Sequence, residues 1–196
     1  MPEVLKMKVQ PSRAGEMAMP FVDDMPSMEA FNVPSDSLDS RMDFLIEEVW
    51  KGIQDPKIQQ LAARIMKEYN VPSRDFEAEA SAVFNWVREN IRYTRDPDGL
   101  ELFRKPIRTV QLGIADCDDM SILIAALLGT IGHKLVLRVI GVTSDEPEHI
   151  YPLVLLPPDN STYYIALDAT RSEDMGWEVA EDQRKFQEDF DVEEDE

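Results

Sequence analysis

Cys117 is the only cysteine in the chain, and its neighbours Asp116, Asp118 and Asp119 are all acidic. An apolar run, ILIAALL, begins at Ile122. A cysteine in this setting is either a small buried hydrophobe or a nucleophile on a helix end. A helix N-terminus offers free N–H groups and a positive dipole end, which favour thiolate and can hold an oxyanion. The three carboxylates oppose this, because nearby negative charge raises a thiol pKa. The dipole alone does not activate Cys117. A cationic partner is needed, and imidazolium is the obvious one.

Two histidines are available, His133 and His149. His133 follows the far end of the helix that Cys117 would open. At about 1.5 Å per residue it would lie roughly 24 Å away, which rules it out as the base. His149 opens an apolar stretch, HIYPLVLL, and Asp168 closes another, YYIALDA. If Leu156 pairs with Tyr163 across the loop PPDNST, Tyr151 falls opposite Asp168. His149 and Asp168 then share a face as diagonal neighbours. In that register Asp168 could orient the imidazole and stabilise its charged form, as the third member of a triad does. A slip of one residue would put them on opposite faces, and the spacing equally allows a surface histidine and a turn aspartate.

The elements that must hold these residues are mostly legible. Residues 40–53 place Met42, Leu45, Ile46, Val49 and Trp50 at helical spacing. Asp55-Pro56 reads as a cap with proline in the first turn of a second helix carrying Ile58, Leu61, Ile65 and Met66. Residues 75–93 predict a third helix, striped by Phe76, Ala80, Val83, Phe84, Val87 and Ile91 with Trp86 beside them. Asp116 can cap the helix that Cys117 opens, and Ile122 to Ile131 leave that helix almost no polar face, as in a central buried helix. Three strands follow, KLVLRVIGV, HIYPLVLL and YYIALDA, with Pro152 suggesting an edge or a bulge in the second. Helices followed by a small antiparallel sheet make an α+β domain.

The chain has 196 residues and a net charge of −19, which excludes nucleic acid and anionic membranes as expected partners. No apolar run is long enough to span a bilayer, and no basic-then-apolar leader is seen at the start, so no secretory signal is expected. Residues 1–37, rich in Pro and Met, read as an extended or disordered arm, and the domain as 38–175. Residues 176–196 read as an acidic, solvated tail, with Phe186 and Phe190 as anchors if it docks on a basic partner.

The segments ADCDDMSILIAALLGTIGHKLVLRVIG, HIY and YYIALDAT together resemble the transglutaminase-like superfamily, whose fold is papain-like. The upstream FNWVRENIRYTRDPDG is similar to that family's Trp-containing helix ending in Tyr, so the resemblance covers about 76–170. It implies Cys117 as nucleophile, His149 as base and Asp168 as orienting acid. It also brings in Trp86 and Tyr93 as oxyanion or substrate-binding candidates. Ala115 departs from the pattern, since the family usually has Gly there. The Cys117 backbone N–H is a natural oxyanion donor, and Gln111 is a chemical guess for a side-chain donor. The stretch DPDGLELFRKPIRTVQLGIADCDD further resembles transglutaminase-like proteins of tailed phages and prophages. That implies a bacterial host cytoplasm or a virion, with assembly proteins as partners of the arm or tail.

Asp96, Asp98 and Glu101 around Gly99 lack the full spacing of a calcium loop and read as turn residues. The three aspartates near Cys117 read as caps, so no metal and no cofactor is expected. The basic cluster FRKPIR is too short to bind nucleic acid in so acidic a chain. Two function classes stand. One is a thiol enzyme acting on amide bonds of a protein or peptide, as peptidase, amidase or crosslinking transglutaminase. The other is a virion or assembly protein that keeps the fold for binding.

Overall fold

The computed structural model describes residues 37–96 and 102–193. Residues 1–36 of the arm, Asp98, Gly99 and Glu101 lie outside the described residues, whereas Ser37 caps the first helix.

Its organising element is a helix with no polar side, Cys117–Thr130 (α5), buried from Asp118 to Leu128. Such a helix must be covered all round. Helices Leu38–Gln54 (α1), Pro56–Glu68 (α2), Phe76–Asn90 (α3) and Pro106–Leu112 (α4) all pack on it, and strands Lys134–Gly141 (β3) and His149–Leu156 (β4) close the remaining side. The caps follow the sequence. Asp55 accepts from Lys57 N–H ahead of Pro56, and Asp75 accepts from Ala78 N–H. At Gly52, α1 comes so near α5 that a Cβ would meet Ala126 Cβ and Pro106 Cγ, each at 2.7 Å.

The helix expected over 75–93 stops at Asn90. Ile91 is extended, and Arg92–Tyr93 (β1) pairs in parallel with Ile114–Ala115 (β2), immediately before Cys117. The basic cluster holds α4, which was not expected. Pro106 occupies its first turn, and Gly113, at φ +64°, ends it.

Tyr163–Ala166 (β5) and Phe186–Asp191 (β6) complete a four-stranded antiparallel sheet in the order β5-β4-β3-β6. Leu156 pairs with Tyr163, the register that the loop predicts. Pro152 is neither at an edge nor in a bulge. β4 lies inside the sheet, and Pro152 pairs with Leu137. Its carbonyl accepts from Leu167 N–H, beyond the last pair of β5, so its backbone polar edge faces that side. The missing N–H therefore costs no bond to β3.

Residues 186–191 are not a solvated tail; they form β6, an added edge strand beside β3. Phe186 and Phe190 fall on one face and pack against the main core. Asp189 lies on the other face, opposite Arg138. Arg138 is 5% exposed and gives Asp189 two parallel hydrogen bonds, at 2.7 and 2.6 Å. It also donates to Glu178 at 2.9 Å, and Glu178 accepts from Tyr151 Oη at 2.8 Å. The acidity that reads as solvation in sequence here surrounds a buried guanidinium. No described helix is long and apolar enough to cross a membrane.

Candidate active site

Asp116 caps α5 by accepting from Asp119 N–H at 3.1 Å, which fixes Cys117 at the first helical position. Ser121 Oγ, one turn on, lies 2.7 Å from the Cys117 carbonyl and 3.2 Å from the Ile150 carbonyl. Ser121 thus ties the turn that Cys117 opens to the start of β4, where His149 stands. His149 Nε2 is 2.8 Å from Asp168 Oδ2, just past β5. The predicted strand register thus accompanies a direct contact between these two side chains.

Burial alone would raise the Asp168 carboxyl. Hydrogen bonds from His149 and from Thr170 Oγ1 (2.6 Å) and N–H (3.2 Å) instead hold it below the usual carboxylate range. An ionised Asp168 only accepts, so Nε2 carries the proton, and a neutral His149 leaves Nδ1 as its basic nitrogen. The thiol is in a different state. Burial, then Asp118 and Asp116, push it well above the usual thiol range, partly offset by the Ile150 N–H. Cys117 Sγ donates to Asp118 Oδ1 at 3.5 Å.

Each acidic neighbour is held separately. Asp118 Oδ2 accepts from Arg41 Nη2 at 2.8 Å. Asp119, whose side chain is fully buried, accepts from the Arg104 backbone N–H at 2.7 Å and from its guanidinium. Asp119 is pushed up to about 6 by burial, against the pull of Arg104. Arg104 also reaches Asp96 at 3.2 Å. Asp116 is raised by burial and by Asp119. Among the described residues no cluster of three or more His, Cys, Asp or Glu is arranged to hold a metal.

Cys117, His149 and Ile150 line a cleft of about 340 Å³, with Tyr93, Arg41 and Asp118 around them. Leu38, Met42 and Leu45 of α1 give it an apolar wall. Tyr93 is therefore at the cleft, its phenol raised by burial and then by Cys117. Trp86 does not line it: its side chain points into the core at 3% exposure, and its indole N–H has no partner among the described residues. Gln111 also lies outside the lining, on α4, where Oε1 accepts from Arg108 Nη1 at 3.4 Å. Arg41, Ser121 and Thr170 were not foreseen. Only Thr170 left a sequence signal, since Asp-x-Thr is a local turn pattern.

No protein-family model matches the chain, and no curated protein does. Among solved structures, EGTA-treated Legionella pneumophila LapG is similar at a TM-score of 0.46 and 15% identity, over 65% of this chain and 72% of that one. Calcium-bound L. pneumophila LapG is similar at 0.43 and 15% identity, over 65% and 74%.

Proposed function

We propose that the protein is a transglutaminase-like thiol enzyme that cleaves amide bonds in a protein or peptide through Cys117, His149 and Asp168. The observation that carries this reading is the 2.8 Å contact of His149 with Asp168, in a cleft that a helix-opening cysteine shares. His149 Nδ1 takes the Cys117 proton, and the thiolate attacks the amide carbon. The oxyanion forms beside the Cys117 N–H. His149 returns its proton to the amine nitrogen as the C–N bond breaks, leaving a thioester. Water then attacks the thioester with His149 as base, releasing the acid and restoring the thiol. An amine in place of water would give transfer instead.

The test is cleavage of a peptide library by the wild-type protein, Cys117→Ala and His149→Ala. Fragments made by wild type and lost in both variants support hydrolysis. A fluorescent primary amine supplied with a glutamine-rich protein separates transfer, which incorporates the label, from proteolysis. Wild-type protein that does neither and whose thiol is indifferent to His149→Ala overturns the reading.

A further inference from the structure

A thiol has one proton, and at Cys117 two groups compete for it. His149 must take that proton to make the nucleophile, yet the thiol hydrogen bond runs to Asp118 Oδ1 at 3.5 Å. The other oxygen of the same carboxylate is bonded to Arg41 Nη2 at 2.8 Å. Arg41 is anchored in turn by α1 and by the Phe103 ring, 5.3 Å from its guanidinium carbon. The side chains of Arg41 and Asp118 are 33% and 12% exposed, so the pair sits at the cleft wall and not in the core.

We propose that Asp118 is a positioning residue that restrains the Cys117 thiol, and that Arg41 sets the strength of the restraint, so that readiness of the nucleophile is governed by a contact between α1 and α5. This rests on Cys117 being the nucleophile of the proposed reaction.

The other charged and titratable groups near the sulfur are otherwise engaged. Asp116 caps Asp119 N–H, and Asp119 is turned to Arg104. Glu148 accepts from the Val142, Thr143 and Ser144 N–H groups. Asp96 pairs with Arg104, and Arg95 interacts with the Tyr93 phenol. His149 is bonded to Asp168. Asp118 is the carboxylate whose oxygen accepts the thiol hydrogen. Its negative charge works against thiolate, and the Arg41 guanidinium offsets part of that charge. Removing the Asp118 charge therefore frees the thiol, whereas removing Arg41 tightens the hold.

The test is the pH profile of iodoacetamide alkylation of Cys117 in the full chain. Asp118→Asn lowers the midpoint by about one unit. Because a more acidic thiolate is also a weaker nucleophile, the rate near pH 7 rises about three- to fivefold. Arg41→Gln shifts the midpoint upward, and Arg41→Lys restores it. In the double variant Arg41→Gln has no further effect, since it acts through Asp118. Asp118→Ala moves the midpoint in the same direction as Asp118→Asn and stands in if the latter does not fold. An unchanged or raised midpoint in the Asp118 variants overturns the proposal, as does an Arg41→Gln shift that persists without Asp118. His149→Ala in the same assay reports separately on the nucleophile–base pair, so failure of the restraint and failure of the proposed reaction give different results.

Discussion

His149 and Asp168 are joined through Nε2 and Oδ2 at 2.8 Å, with Thr170 holding the other carboxylate oxygen at 2.6 Å. The carboxylate is therefore held at both oxygens, by the imidazole at one and by Thr170 at the other. Asp168→Asn keeps the shape and removes the charge that sets the tautomer. Under the proposed reaction, amide cleavage would fall by about ten-thousandfold, read as kcat/KM on a peptide from the library. The same change affects stability with a definite sign. Asp168 is held below its ordinary range, so its contribution is present above the unfolded carboxylate value and is lost as the pH falls through the folded one. Denaturant titrations show a gap between wild type and Asp168→Asn at pH 7 that narrows below about pH 4.

Asp119 and Arg104 bind the loop before α4 to the first turn of α5. Among the described residues, Asp119→Ala leaves the Arg104 guanidinium, 17% exposed, with only Asp96 as an ion-pair partner. The loss is about 3 kcal/mol, measured by chemical denaturation. Asp119→Ala with Arg104→Met recovers much of it, because the uncompensated charge is removed.

Arg138 anchors β6 to the sheet. Arg138→Ala leaves Glu178 with Tyr151 and Arg184, takes from Asp189 its two hydrogen bonds to the guanidinium, and costs about 2 kcal/mol, seen as a lower denaturation midpoint. Asp189→Asn costs less, since that carboxylate is 39% exposed. Hydrogen exchange places the first lost protection at residues 186–191 in both variants.

Gly52 sets the distance between α1 and α5. Gly52→Ala drives a methyl group into Ala126 and Pro106 and costs about 1–3 kcal/mol in thermal or chemical denaturation. Adding Ala126→Gly relieves one of the two contacts and returns part of the loss.

What the sequence discloses about this molecule depends on whether the cause is local. α1, α2 and α5 carry their own periodicity and caps, so they are readable, and α5 is readable as central because it has no polar side. The Leu156–Tyr163 register is set by a short loop and is readable too. β6 is not, because its charges are matched by Arg138 about fifty residues earlier, and no window of the sequence contains both. The end of α3 is hidden for the same reason. Ile91 continues the helical stripe, but Arg92 and Tyr93 are drawn into pairing with Ile114 and Ala115. At the site, the spacing could suggest His149 with Asp168. It could not suggest Arg41 on Asp118, a pair 77 residues apart that no pattern links. Trp86 shows the converse error. A family-like tryptophan on a helix can belong to the core while a tyrosine a few residues on reaches the cleft.

β6 also orders the assembly of the molecule in time. β3 has its outer edge bare until residues 186–191 arrive, and Trp50 of α1 finds its acceptor only at the Glu193 carbonyl, 2.8 Å away. During synthesis the residues of α5, β4 and Asp168, which include those of the proposed reaction, are therefore made while Phe186 and Phe190 are still to come. A chain that stops short of residue 186 carries every residue of the cleft and leaves the outer edge of β3 open to other strands. Protection from aggregation is the last thing the described chain acquires.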